Sequence, residues 1–424
     1  MISRKQYVFN NSEYSIFTQV WHILIVVCII LNSGYAFATA NHNISLYILI
    51  PTFFFTFLII NYKLLKFDLT VAFLALFIIF SVVSTFFNLS STNINAFLRM
   101  IMIVILSFFV SKLIEFDTFT DSFVKIMVTL TFIAVCAHLI FITFKLPIFN
   151  NIFINTNGSV YYNGYIFFLR KVGTSLSPRS MSVFWEPGLY ASYLIISLML
   201  EISLKRNVNK FNVTILILGV LISQSTAGYL LLLFLIPLIR YKNFKKKYVF
   251  QFILSVAACL FLFFKIDGII RYLIKINYDM FYKLHLEELV NSVRFKSALM
   301  NLNIFYKSPL FGNGYAGANN IYLSLMNSWG NISQTSTSTY FLAALGIFGA
   351  LYTIMWFISM LNFKRVNILS RIIILIVMII IINKEPHQGL MLSYCLLFYF
   401  MNESKSEKVK EEKFKSKYII RNGF

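Results

Sequence analysis

The chain has 424 residues, of which 58% are hydrophobic and only 12% are charged. A soluble domain of this length has no interior large enough for so much apolar surface, so the composition excludes an ordinary globular enzyme. The formal net charge of +21 does not indicate nucleic-acid binding, because the basic residues lie mainly at the ends of apolar segments, where they contact lipid headgroups.

Apolar segments of membrane-spanning length follow one another along most of the chain. Because a helix needs about 20 mostly apolar residues to cross a bilayer, we predict an all-α polytopic membrane protein with about twelve spans. A single transmembrane domain covers residues 1–402, and a basic cytoplasmic tail follows at 403–424. The predicted spans are 16–38, 45–62, 69–88, 96–114, 123–145, 182–203, 207–222, 226–241, 248–264, 338–361, 370–383 and 389–402.

The distribution of lysine and arginine predicts the orientation. With the N-terminus in the cytoplasm, every short inner segment is basic, whereas the short outer loops contain only Lys384. An excess of basic residues in short loops marks the cytoplasmic side of a membrane. Both termini are therefore predicted to be cytoplasmic.

Two predicted outer loops, 146–181 and 265–337, are long and basic. Long loops escape the positive-inside rule, so topology permits their charges without explaining them. Either these basic stretches rest on lipid headgroups, or their arginines bind an anionic group of a substrate through paired hydrogen bonds. The candidate residues are Arg170, Lys171 and Arg179 in the first loop, and Arg294 and Lys296 in the second.

The second loop also shows the periodicity of an amphipathic helix. Apolar residues recur at helical spacing in two stripes, and the second runs from Phe295 to Phe305. We predict amphipathic helices on the surface of the bundle, interrupted by Ser308-Pro309 and by a glycine turn at 312–314.

Three further polar residues stand at the predicted outer ends of spans. Glu186 precedes Pro187, so it either caps a helix, pairs with a loop arginine or takes part in catalysis. Arg99 either lines the same cavity or extends to the headgroups. His387 either reaches the site or belongs to a plain turn. The cysteines show no metal-binding spacing, and we predict no metal site.

Several short motifs follow one another in a recognisable order. Arg179 and Glu186-Pro187-Gly188 precede a span, and Arg294 lies in the second long loop. This arrangement resembles the Wzy-type polymerases of O-antigen and capsular polysaccharide, within the wider O-antigen ligase and polymerase superfamily. The other motifs that carry the resemblance are Ser223-x-Ser225-Thr226-x-Gly228, Ser308-Pro-Leu-Phe-Gly-Asn-Gly314 and Tyr340-Phe-Leu-Ala-Ala-Leu-Gly346-Ile-Phe-Gly349.

The resemblance implies a metal-independent glycosyltransferase of the bacterial inner membrane that needs no cofactor. It would join undecaprenyl-pyrophosphate-linked oligosaccharides on the outer face, with the lipid bilayer and a chain-length regulator as further partners. Arg179 and Arg294 would stabilise the leaving pyrophosphate, and Glu186 would orient an arginine or accept a proton. The additional substrate contacts would come from Arg170, Lys171, Lys296, Arg99 and His387.

Two alternative functions stay open. O-antigen ligases of the superfamily carry a histidine just before the span that follows the large loop. The corresponding stretch here, Ser333–Tyr340, has none, which favours a polymerase. A lipid-linked oligosaccharide flippase would also bind pyrophosphate, but the basic loops lie on one predicted side and no internal repeat is evident.

Overall fold

The structure is a computed structural model that describes residues 11–36, 52, 68–88, 94–144, 152–154, 160–164, 167–170, 178–205, 208–240, 293–326 and 334–402. Within these residues the fold is mostly helical, and five helices are long and apolar enough to cross a membrane. The predicted span at 248–264 and the tail at 403–424 lie outside the described residues, as does the span at 45–62 apart from Thr52.

Helices cover every predicted span that falls on described residues. They are α1 (Asn11–Asn32), α2 (Leu69–Phe87), α3 (Ile94–Leu113), α4 (Phe116–Phe144), α5 (Pro187–Leu204), α6 (Lys210–Ser223), α7 (Thr226–Arg240), α10 (Thr337–Leu345), α11 (Ala350–Asn362), α12 (Ile368–Lys384) and α13 (Met391–Asn402). A 3₁₀ turn at Gly346–Gly349 joins α10 to α11, and the two helices together form the predicted span 338–361. Two further helices, α8 (Val293–Lys307) and α9 (Tyr315–Met326), lie in the second long loop.

The helix α5 lies at the centre of the bundle. In its most apolar window 89% of the residues are buried, against 28% in α2. A helix that is apolar all round is stable only when it is enclosed by others, and α5 packs against α4, α6 and α7. The outward residues of α2, such as Ile79 and Phe86, are exposed instead, as expected for a helix that faces lipid.

At one end of the bundle, ion pairs join residues of neighbouring helices. Lys112 at the end of α3 binds Asp68 (2.7 Å) and the side chain of Asn402 (2.8 Å). Lys205, just after α5, lies 2.9 Å from Asp121 in α4. We call this end of the bundle the paired end, and the end where α2 finishes and α5 begins the far end.

The first long loop contains a small antiparallel sheet at the far end, which corrects the all-α prediction. Its order is β1-β2-β3-β4. Aromatic and β-branched residues with alternating burial in β2 favour strands, but these strands are too short to be recognised against twelve apolar segments. The strands are β1 (Ile152–Ile154), β2 (Val160–Asn163), β3 (Phe168–Arg170) and β4 (Arg179–Ser182).

The second long loop contains the amphipathic helix expected there. The stripe that includes Phe295 and Leu299 is about half exposed, as expected for a helix at a lipid surface. The opposite face of α8 is polar and buried, with Ser297 and Asn301 directed at α10. The helix ends at Lys307, where the sequence predicted an interruption.

The glycine turn after α8 docks onto the break between α10 and α11. Gly314 donates its N–H to the carbonyl of Ala344 (2.9 Å), and Ile347 donates to Pro309 (2.8 Å). Gly346 has φ +66°, and a Cβ there would overlap the backbone of Leu310. The glycine motifs therefore allow two backbones to approach closely, and they fix α8 and α9 against the bundle.

Candidate functional site

An ion pair between α8 and the end of α12 forms the centre of the site. The Nη2 atom of Arg294 lies 2.9 Å from Oε1 of Glu385, and its Nε donates to the carbonyl oxygen of Lys384 at 3.0 Å. The carboxylate of Glu385 is completely buried, whereas 37% of the Arg294 side chain is exposed. Arg294 therefore joins a buried anion to the surface at the far end.

Lys384 is buried beside this pair. Its ammonium donates to the carbonyl oxygen of Gly188 (3.0 Å) and to Oγ of Ser225 (3.4 Å), and it lies 3.8 Å from Oε1 of Glu385. A buried charge is tolerated only when it is paired and hydrogen-bonded. The last residues of α12 thus bind the start of α5 and the turn between α6 and α7.

Glu186 pairs with Arg294 from the other side. It occupies the residue before α5, but its side chain makes no capping hydrogen bond. Its Oε1 instead lies 3.6 Å from Nη2 of Arg294, and 34% of the side chain is exposed. Of the three roles left open by the sequence, Glu186 occupies the N-cap position without a capping hydrogen bond, and the ion pair with a loop arginine is confirmed.

Two arginines of the sheet stand next to this cluster. Arg170 and Arg179 are directly paired in register across β3 and β4, and Arg179 donates from Nε to the carbonyl oxygen of Ser223 (3.2 Å). Burial lowers the pKa of Arg179, and the positive charges of Arg170 and Arg294 lower it further. Like charges opposite each other destabilise a sheet unless other groups compensate them.

The motifs can now be explained by these contacts. Gly188 leaves the space that Glu385 fills, because a Cβ at Gly188 would overlap Oε1 of Glu385. In the turn between α6 and α7, Ser223 accepts from Arg179 and Ser225 contacts Lys384. The motifs are separate in sequence, but they meet around one group of charges.

The stretch 334–339 is a hydrogen-bonded connector. Gln334 donates to Asn301 (2.7 Å) and the N–H of Thr335 donates to Ser297 (3.0 Å), both on α8. Ser336 lies 3.0 Å from Oδ1 of Asn383, which also accepts from the N–H of Ser338. The connector therefore holds α8 against the end of α12 and sets the position of Arg294.

Burial acts on two titratable groups in the turn after α12. It raises the pKa of Glu385, as does the nearby Glu186, while Arg294 and Lys384 oppose this effect. Burial lowers the pKa of His387 to about 3, with a smaller contribution from Lys384. His387 is therefore neutral, and it is completely enclosed, so it does not face the exposed part of the site.

The structure does not bring the remaining predicted site residues, Lys296, Arg99 and Lys171, together with this cluster. Lys296 lies two residues beyond Arg294, which turns it to another face of α8. Arg99 lies in α3, and no described carboxylate forms an ion pair with it. Lys171 lies outside the described residues.

The sequence analysis missed the role of Lys384 and Glu385. Lys384 was noted only as the basic residue of the short outer loops. An adjacent lysine and glutamate directly after an apolar helix are as costly at membrane depth as Glu186, so the same argument would have selected them.

The charge balance of the site favours an anion. Among the residues that the structure describes here, the cations Arg170, Arg179, Arg294 and Lys384 outnumber the carboxylates Glu186 and Glu385. Among the described residues, no group of His, Cys, Asp or Glu side chains is placed to hold a metal ion. The positive charge that these residues offer a ligand therefore comes from guanidinium and ammonium groups.

Comparison with known proteins leaves the family open. No family model matches this chain, and no curated protein matches it.

We predict that Gly188→Ala lowers stability by about 1–3 kcal/mol, because the added methyl group displaces Glu385 from Arg294. Glu385→Asp shortens the displaced side chain by one CH₂ group and keeps its charge. Thermal unfolding of the purified variants should show a smaller effect of Gly188→Ala in the Glu385→Asp background than in the wild type. Equal effects in both backgrounds would show that the two residues do not compete for space.

Proposed function

We propose that this protein is a polysaccharide polymerase of the bacterial cytoplasmic membrane, which joins polyprenyl-pyrophosphate-linked oligosaccharide repeat units on the outer face. The observation that supports it most is the convergence of Arg170, Arg179 and Arg294, from two separate loops, at one end of an apolar bundle. We place the far end at the outer face, in agreement with the distribution of basic residues.

The arginines suit a pyrophosphate leaving group. Their planar guanidinium groups donate paired hydrogen bonds to phosphate oxygens and stay charged at all physiological pH values. As the bond between the sugar and pyrophosphate breaks, negative charge grows on the phosphate oxygen. Cations already fixed at that place stabilise the transition state, which is often the largest contribution to catalysis. Arg294 is fixed by Glu385, and Arg179 by Ser223.

Glu186 is the residue that we assign to proton transfer. A hydroxyl of the acceptor sugar attacks the anomeric carbon of the donor, and its proton passes to the Glu186 carboxylate. The new C–O bond forms as the bond from the anomeric carbon to the pyrophosphate oxygen breaks, and the leaving group keeps the electron pair. Arg294 holds Glu186 loosely at 3.6 Å, so a bound pyrophosphate can replace Glu186 and release it toward the acceptor.

Two observations favour a polymerase over the alternatives. The connector 334–339 uses its polar side chains to join α8 and α12, where a ligase of the superfamily would carry a histidine. At the paired end, Lys112 and Lys205 are bound to carboxylates, whereas at the far end Arg170 and Arg179 lie opposite each other in the sheet. A flippase handles its substrate at both faces, so this asymmetry favours an enzyme that works on one.

We predict that Arg179→Lys and Arg294→Lys each reduce long-chain polysaccharide by about tenfold or more, because lysine keeps the charge but loses the paired hydrogen bonds. Cells that express these variants should still carry attached glycans of a single repeat unit. Gel ladders of extracted polysaccharide provide the measurement, with protein level checked by immunoblot.

Arg371→Lys is the matched control for these variants, since Arg371 binds backbone carbonyl oxygens of Val366 and Leu361 on the paired side. Normal ladders from Arg179→Lys and Arg294→Lys at normal protein level would contradict the proposed role of the arginines.

We predict that Glu186→Gln removes polymer while the protein still accumulates and folds, because the amide keeps the shape of the side chain but accepts no proton. The side chain is partly exposed and makes no capping hydrogen bond, so its loss costs little stability. Thermal unfolding and gel ladders of the same variant test this together. Normal polymer from Glu186→Gln would assign proton transfer to another group.

A further inference from the structure

Two carboxylates share the guanidinium group of Arg294, and they differ in how freely they can move. Glu186 lies 3.6 Å from Nη2, and 34% of its side chain is exposed. Glu385 lies 2.9 Å from the same atom, and its side chain has no exposure at all. An exposed side chain can turn into solvent when another anion arrives at the arginine, whereas an enclosed one has no such route. The two carboxylates therefore respond to an anionic ligand in different ways.

The side chain of Glu385 is held in its place by the surrounding backbone. It fills the space beside Gly188, where an added Cβ would overlap Oε1. The carbonyl oxygen of Glu385 accepts from the hydroxyl of Thr337 (3.4 Å), which belongs to another helix. Because the side chain is enclosed and the backbone is anchored, Glu385 stays beside the guanidinium group whatever binds there.

The buried carboxylate has few hydrogen-bond donors. Among the described residues its side chain accepts only from Nη2 of Arg294, and Oε2 is buried without a hydrogen-bond partner. Lys384 offers a charge at 3.8 Å but donates its hydrogen bonds elsewhere. Burial raises the pKa of Glu385 to about 7, and Glu186 raises it as well, while Arg294 and Lys384 oppose this effect. Glu385 thus needs little further negative charge nearby to become neutral.

We propose that Glu385 takes up a proton when a pyrophosphate binds Arg294, so that the charge of the arginine becomes available to the ligand. This inference rests on the proposed function, since it needs a pyrophosphate at Arg294. The ligand brings negative charge next to a carboxylate that cannot move away, and like charges repel strongly where water is excluded. The neutral carboxyl group still accepts from Arg294 through its C=O oxygen, so the arginine keeps its position. The proton comes from solvent and returns there when the product leaves.

Glu385 acts in this proposal through Arg294 and is a positioning residue. A purely structural ion pair predicts that Glu385→Gln weakens binding of the ligand at every pH. The proposal predicts tighter binding by Glu385→Gln at high pH. The reason is that glutamine is neutral without taking up a proton, and its amide oxygen still accepts from Arg294. His387, in the same turn, is neutral throughout this range because burial lowers its pKa to about 3.

The first test is the affinity of the purified full-length protein for undecaprenyl pyrophosphate, measured from about pH 6 to about pH 9. Wild type and Glu385→Gln should bind about equally at the low end, where Glu385 is already neutral. Above the pKa of Glu385, the wild type should lose up to about tenfold in affinity per pH unit relative to Glu385→Gln, because binding takes up one proton. Comparison at each pH cancels the titration of the ligand itself. Weaker binding by Glu385→Gln at high pH would overturn the proposal.

Infrared difference spectroscopy identifies the group that takes up the proton. In a detergent without ester groups, and above the pKa of Glu385, undecaprenyl pyrophosphate should produce the C=O stretching band of a protonated carboxylic acid. The band should be absent from Glu385→Gln. It should be present in Glu201→Gln, the matched control, since Glu201 is a buried carboxylate beside Lys205 at the paired end.

The same spectra separate the two levels of the account. A band that persists in Glu385→Gln, or no band from wild-type protein that has bound the ligand, would overturn proton uptake by Glu385 and leave the proposed function intact. Wild-type protein that is folded but binds no undecaprenyl pyrophosphate would contradict the proposed function itself.

Discussion

The ion pair between Arg294 and Glu385 is the contact on which the rest of the site depends. It joins residues 91 positions apart, from a surface helix and from the end of an apolar helix, and the carboxylate has no access to solvent. Removing one partner of a buried ion pair costs about 3–5 kcal/mol, and less here because Arg294 is partly exposed. Such a contact fixes the arginine in one place at the edge of the bundle.

The surrounding polar residues position this ion pair. Gly188 leaves room for Glu385, and the connector 334–339 holds α8 against α12. Lys384 compensates the buried carboxylate and reaches the turn between α6 and α7, which also binds Arg179. Buried neighbours therefore fix the positions of Arg179 and Arg294. Glu186, in contrast, is partly exposed and lies 3.6 Å from Arg294.

The sequence predicts the apolar helices among the described residues well, because hydropathy is a strong local signal. It also selects Glu186, through the cost of charge at membrane depth, and Arg179 and Arg294, through the basic loops and the motifs. It does not predict the sheet at 152–182, whose short strands give little periodicity. It does not predict Glu385 as the buried partner of Arg294 either, since pairing between distant segments leaves no local pattern.

The most direct measurement of the central claim is a reaction with purified components. The protein in detergent, supplied only with a polyprenyl-pyrophosphate-linked repeat unit, is analysed for glycan length and for released polyprenyl pyrophosphate. Our account predicts that long glycans form and that one polyprenyl pyrophosphate is released for each new linkage. Detergent removes the membrane barrier, so transport alone gives no product. Unchanged single repeat units, from protein that is folded and binds the substrate, would contradict a polymerase.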